Sequence, residues 1–227
     1  DAIQSAGAQL DAHCREVGFP DRQEFKWSPG RKLWMRDNLV GSARREFFSQ
    51  VSKILAAQGA TAFAVVIECD AKAMHSGTEP EMDALLTLLE RFHSWLPAGE
   101  EGVVVVDTPS GDRSDEHGFL QNCVERLATG TPYVDFDQLA LPVLSAPSRM
   151  VRLLQCADLI TSCLAALIAG EENHAPITAG ELLPLVRREY GRVGGVGIKI
   201  HPDYKYANLY HWLFGDEHLG PAHGGAP

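Results

Sequence analysis

Hydrophobic positions along this chain follow two rhythms, a helical spacing of three and four residues and short unbroken apolar runs. Ile3, Ala6, Leu10, His13 and Val17 share one helical face, so residues 1–17 predict an amphipathic helix ending near Gly18 and Pro20. A polar stretch punctuated by proline and glycine follows to about residue 40. Ser42 predicts the cap of a second helix, whose face carries Phe47, Phe48, Val51, Ile54 and Leu55 and which closes at Gln58 and Gly59. The β-branched run TAFAVVIEC at 61–69 reads as a buried strand, and GVVVVD at 102–107 as a second, stopped by Thr-Pro-Ser-Gly. Between them Met82, Leu85, Leu86, Leu89, Phe92 and Trp95 place a helix at 79–96. Further on, the pattern predicts a helix at 115–127, a strand at 138–144, a long apolar helix at 148–170 and a helix at 178–190. A glycine-rich turn and a short GIKI strand at 197–200 complete it. Strands alternating with helices predict an α/β fold with a mixed, largely parallel sheet flanked by helices. No repeat or clear linker interrupts the pattern, which predicts one domain over 1–215 and a flexible tail over 216–227 ending in PAHGGAP.

Composition narrows the class. The 227 residues are 45% hydrophobic and 22% charged, an ordinary globular balance with enough length to bury a core. No run approaches the roughly 18 apolar residues a bilayer span needs, so no membrane partner is expected. Cys14, Cys69, Cys123, Cys156 and Cys163 are scattered in apolar settings without CxxC spacing, which predicts reduced core thiols and a cytoplasmic location. Nine histidines without HxxxH or HExxH pairing argue against structural zinc. A formal charge of −10 excludes nucleic-acid binding over the whole surface. Residues 21–53 nonetheless hold eight basic side chains (Arg22, Lys26, Arg31, Lys32, Arg36, Arg44, Arg45 and Lys53) against four acidic ones. That local surplus is either a phosphate-docking patch or a solvated face.

Two carboxylates draw attention by their settings. Asp107 ends a four-valine strand, and ligands bind at the carboxyl ends of strands in open α/β sheets; a turn-initiating aspartate is the other reading. Asp158 sits in a stretch, 146–170, whose other charged residues are Arg149 and Arg152 alone. Arg152, Gln155, Asp158 and Ser162 are spaced as one polar stripe on an otherwise apolar helix. An ionised carboxylate there needs a cation, a metal or several donors, unless the stripe faces water or Asp158 pairs with an arginine. Other motifs fail on geometry. GFPDRQEFKWSPG at 18–30 holds the letters of a PD…ExK nuclease, but only Arg22 and Gln23 separate Asp21 from Glu24, too few to turn between two strands. GRVGGVGIK lacks the ending of a phosphate-binding loop, and no GxSxG occurs.

Three pieces of the chain together resemble a known family. Glu24-Phe25-Lys26-Trp27-Ser28 is similar to its E-L-K-W-S segment, residues 103–107 to its strand ending in a single Asp, and Leu154-Gln155-Cys156-Ala157-Asp158 to its L-Q-x-A-D helix. The family is domain-of-unknown-function family 3800, and the match covers residues 24–170 in order. The resemblance implies a ribonuclease H-like three-layer fold and a metal-dependent nuclease or related phosphodiester-cleaving hydrolase. It implies that Glu24, Asp107 and Asp158 converge as catalytic metal ligands, with Lys26 as a catalytic cation beside them. Gln155 would support the cluster, and Lys26, Arg31, Lys32 and Arg149 would contact nucleic acid. The implied cofactor is Mg²⁺ or Mn²⁺, which prefer carboxylate oxygens; two such ions about 4 Å apart activate water and steady a leaving oxygen. The family opens on a D-E-S-G strand that this sequence does not contain, so that strand is expected ahead of Asp1. Without it, the alternative is a catalytically inactive interaction module for a protein or nucleic-acid partner.

Overall fold

Helices and strands alternate as the apolar rhythm predicts, and the chain is of mixed α/β class. The computed structural model describes residues 2–68, 70, 72, 74, 79–140 and 143–219. In order these form α1 (Ala2–Val17), α2 (Met35–Asn38), α3 (Gly41–Ala57), β1 (Ala64–Ile67), α4 (Pro80–Trp95), β2 (Val105–Asp107) and α5 (Arg113–Thr129). There follow β3 (Leu144–Ala146), α6 (Arg152–Ile168), α7 (Ala175–Leu182), β4 (Ile198–His201) and α8 (Asp203–Phe214). Short 3-10 turns occupy Ser148–Met150 and Leu183–Leu185.

All strand pairing in these elements is parallel, as expected, but it is divided. β1 pairs with β4 from Ala64↔Ile198 to Ile67↔His201, and β2 with β3 from Val105↔Leu144 to Asp107↔Ala146. A single parallel bridge, Gly102↔Leu139, prolongs the second pair, and another, Ala62↔Val186, sets the residues ahead of β1 beside the segment that leaves the Leu183–Leu185 turn. Among the described residues these are two separate ribbons, not the one sheet the alternation predicts.

The larger core gathers α1, α3, α6, α7 and α8 around Phe25, Phe47, Phe48, Leu159 and Leu164. α6 is a long apolar helix and buries Leu159, Cys163 and Leu164 completely. A smaller core joins Met82, Leu86 and Leu89 of α4 to Cys123 of α5, with Val104 and Val106 packed against it.

Several expectations shift. The valine run is covered on one side only: Val103 is 51% and Val105 42% exposed, so the strand is half-buried. Four valines announce an apolar strand but not how many of its faces are covered. The strand expected at 138–144 lies at Leu144–Ala146, and only Leu139 bridges before it. The helix expected at 178–190 begins earlier and ends at Leu182; Pro184 falls in the 3-10 turn and Val186 leaves it extended to meet Ala62. Ser42 caps nothing, because α3 starts at Gly41 with Val40 as its N-cap and no side-chain cap. On α1 the buried line is Ala6, Leu10 and Cys14, while Ile3 faces out. Ordered packing runs past residue 215, since Asp216 is fully buried and receives the backbone N–H groups of His218 and Leu219. Cys14, Cys123, Cys156 and Cys163 are buried free thiols as expected; Cys69 and PAHGGAP lie outside the described residues. No described helix is long and apolar enough to cross a membrane.

Candidate acidic site

The loop between α1 and α2 carries Glu24 and Lys26 on either side of Phe25, which is fully buried and meets the Phe47 ring edge-on at 5.3 Å between centroids. Burying Phe25 leaves its two neighbours partly exposed at the surface, where Lys26 Nζ lies 3.5 Å from Glu24 Oε2. Phe25 also fastens the loop to α6, its N–H donating to Gln155 Oε1 at 3.3 Å.

Gln155 and Ser148 are the joints of the site. Gln155, 1% exposed, donates from Nε2 to the Ser148 carbonyl at 2.7 Å. The Ser148 N–H donates to Asp107 Oδ1 at 2.8 Å, and its hydroxyl to Glu24 Oε1 at 3.3 Å. One serine on the turn before α6 therefore holds the carboxylate at the end of β2 and the carboxylate of the Glu24 loop. Its place at the start of an apolar helix gives Ser148 no distinction in the sequence, because its link to two acids depends on contacts remote along the chain.

Asp158 stands about one helical turn beyond Gln155 on α6. Burial pushes its carboxyl above the ordinary range, Lys26 and a 3.5 Å hydrogen bond from Ser162 draw it back, and the charges of Asp107 and Glu24 add to the rise. The structure thus brings Glu24, Lys26, Asp107 and Asp158 into one electrostatic neighbourhood. Arg152 does not neutralise it. Its guanidinium is turned to Asp11, the Gln23 carbonyl and Gln155 Oε1, each at 2.8 Å, and lies over the Phe25 ring. Arg152 is thereby a brace of the Glu24 loop, a role its place in the stripe hinted at without revealing Asp11.

Glu24, Asp107 and Asp158 offer the hard oxygen donors that Mg²⁺ or Mn²⁺ prefers. Among the described residues, however, no three His, Cys, Asp or Glu side chains stand close enough together to hold an ion. Glu24 and Asp107 are instead engaged by Ser148, so the donor chemistry fits such an ion while the side-chain spacing does not close around one. Arg149 is exposed on the turn next to Ser148, at the edge of the cluster. Arg31 and Lys32 are exposed in a turn closed by Leu33 N–H to Gly30 O, and no described contact joins them to the acids.

The raised Asp158 carboxyl has a consequence for stability. A folded-state pKa above the unfolded value stabilises the fold below the unfolded pKa, and that contribution is lost as pH rises through the folded one. Ionised Asp158 is thus a liability at neutral pH, and Asp158→Asn is expected to raise the urea midpoint at pH 7, with the gain vanishing near pH 3. Equal midpoints at pH 7 would contradict it.

The comparisons add no relative, for no protein-family model, no curated protein and no solved structure matches this chain, and the role of the cluster rests on its own chemistry.

Proposed function

We propose that this protein is a Mg²⁺- or Mn²⁺-dependent nuclease, or a related phosphodiester-cleaving hydrolase, with a ribonuclease H-like arrangement. The observation that supports the reading is that Glu24, Asp107 and Asp158, from a loop, a strand end and a helix, share one electrostatic neighbourhood with Lys26, Glu24 and Asp107 joined through Ser148 and the Asp158 carboxyl raised by burial and by its acidic neighbours. Carboxylates gathered at a partly buried surface are costly unless a cation offsets them. A bound divalent ion would supply Lewis-acid stabilisation and an activated water for in-line displacement. Lys26 would hold a phosphate oxygen of the scissile group, and Gln155 would fix the Glu24 loop against α6 so that the acids keep their spacing. Arg149, Arg31 and Lys32 would contact backbone phosphates to either side, a salt-dependent attraction. Resemblance of the E-F-K-W-S and L-Q-C-A-D segments to the family-3800 motifs points the same way.

The test is calorimetric titration with Mn²⁺ of the chain and of Asp158→Ala, followed by RNA and DNA cleavage assays. Saturable binding that disappears in the variant, with Mn²⁺-dependent cleavage lost alongside, is expected. Binding indifferent to the substitution sinks the proposal. The spacing of the acids favours one other reading, a catalytically inactive interaction module, for which Mn²⁺ neither binds saturably nor promotes cleavage.

A further inference from the structure

A second feature lies beyond Trp27, on the other side of the E-F-K-W-S segment. A cavity of about 490 Å³ opens there between the Trp27 loop, the start of α3 and the approach to α7. Three arginines line it, Arg36, Arg44 and Arg45, in a protein whose formal charge is −10. Among the described residues the one carboxylate on its wall, Glu171, is already committed, accepting the backbone N–H groups of Asn173, His174 and Ala175 at 3.1, 2.8 and 2.6 Å. Among the described residues none of the three arginines forms an ion pair with a carboxylate. Arg44 is fixed in place by the carbonyls at the end of α2, donating from Nε to Leu39 O at 2.7 Å and from Nη2 to Met35 O at 3.3 Å. Burial lowers its pKa, and the charge of Arg36 lowers it further. Positive charge is therefore held together here without compensation, a cost that a bound anion relieves.

Two other features define the anion. Gly41, the first residue of α3, is on the cavity wall, and that helix has no side-chain cap for its leading N–H groups. Trp27, partly exposed, gives the cavity an aromatic wall, with the buried Phe48 ring stacked beside it at 27° and 6.0 Å between centroids. Guanidinium groups match the oxygens of a phosphate, and an aromatic wall suits a nucleobase. The volume falls within the usual range for small-molecule sites.

We propose that this cavity binds the phosphate monoester of a nucleotide, with its base against the Trp27 ring. The ligand is either a free mononucleotide or the phosphorylated end of a strand; both present the same group. The inference stands without the metal reading, because it uses none of the acids.

The experiment is calorimetric titration in EDTA with AMP, adenosine, inorganic phosphate, and short single strands with and without a terminal phosphate at either end. AMP, a phosphorylated strand, or both bind saturably, phosphate competes, and adenosine and the unphosphorylated strand bind at least about tenfold more weakly. The double variant Arg36→Ala/Arg45→Ala, in which both side chains are exposed and neither holds a backbone carbonyl, loses about tenfold in affinity at an unchanged urea midpoint. Asp158→Ala binds as the unaltered chain does, which separates this site from the acidic one. Tighter binding of a phosphorylated strand than of AMP identifies a strand end as ligand; equal or weaker binding identifies the free nucleotide. Adenosine binding as well as AMP, unchanged affinity in the double variant, or no binding of either phosphorylated ligand overturns the proposal.

Discussion

Asp216→Ala is expected to cost about 4 kcal/mol of folding stability, read as a large fall in the urea midpoint. The Asp216 side chain is fully buried. Its Oδ2 accepts the N–H groups of Val193 and Gly194, both at 2.7 Å, and its Oδ1 those of His218 at 2.9 Å and Leu219 at 3.0 Å. Alanine leaves four donors without an acceptor and releases the glycine-rich turn from the segment that follows α8. Burial alone would raise this carboxyl, but the N–H groups of Gly194, Val193, His218 and Leu219 outweigh it and hold the pKa at about 2. A depressed folded pKa stabilises the fold above the unfolded value and loses that contribution as pH falls through the folded one. The unaltered chain should therefore shed about 2.5 kcal/mol progressively between about pH 5 and pH 1 through this group, a loss the alanine variant does not share. Asp216→Asn, keeping one acceptor oxygen, should fall between the two. A midpoint in Asp216→Ala within error of the unaltered chain would show that the turn holds without it.

Gln155→Leu is the second large effect, at about 3 kcal/mol. The amide is nearly wholly buried and spans three pieces of chain: Oε1 accepts from Phe25 N–H and Arg152 Nη1, and Nε2 donates to the Ser148 carbonyl. Leucine fills a similar volume and satisfies none of them. The consequence reaches the acids, because Ser148 loses the contact that seats it while it holds Asp107 and Glu24. If the cluster binds Mn²⁺, affinity should fall in Gln155→Leu although no candidate ligand is altered. Gln155→Glu keeps an acceptor oxygen for Phe25 and Arg152 but no donor for the Ser148 carbonyl, so partial recovery of stability without recovery of Mn²⁺ binding would assign the effect on the acids to the Ser148 bond; unchanged stability in Gln155→Leu would remove Gln155 from that role.

Much of the site could be read before the fold was known, for local reasons. The stripe Arg152, Gln155, Asp158 and Ser162 follows from helical spacing on an apolar background, and the bonds Arg152 to Gln155 and Ser162 to Asp158 lie along it. What lay out of reach was every partner supplied from elsewhere. Arg152 finds Asp11 on α1, and Ser148 finds both Asp107 and Glu24, pairings that spacing within one helix cannot encode. The basic surplus of residues 21–53 was visible as a count, but the meeting of Arg36, Arg44 and Arg45 depends on how α2 turns into α3. Among the elements, long helices with one apolar face were the easiest to place. One error fell where an apolar residue serves an extended segment, at Val186, because a short hydrophobic run does not distinguish a last helical turn from a strand; another set the third strand too early, so that it shares only Leu144 with the observed one.

The pairing of β1 with β4 also bears on how the protein is made. Ala64–Ile67 leaves the ribosome well before its partner Ile198–His201, with four helices and another strand pair between them. Contacts so remote form late, and a nascent chain halted before β4 carries β1 as an apolar segment with its backbone unpaired. Chaperone demand during synthesis should accordingly rise once β1 emerges and fall only after β4 has followed it.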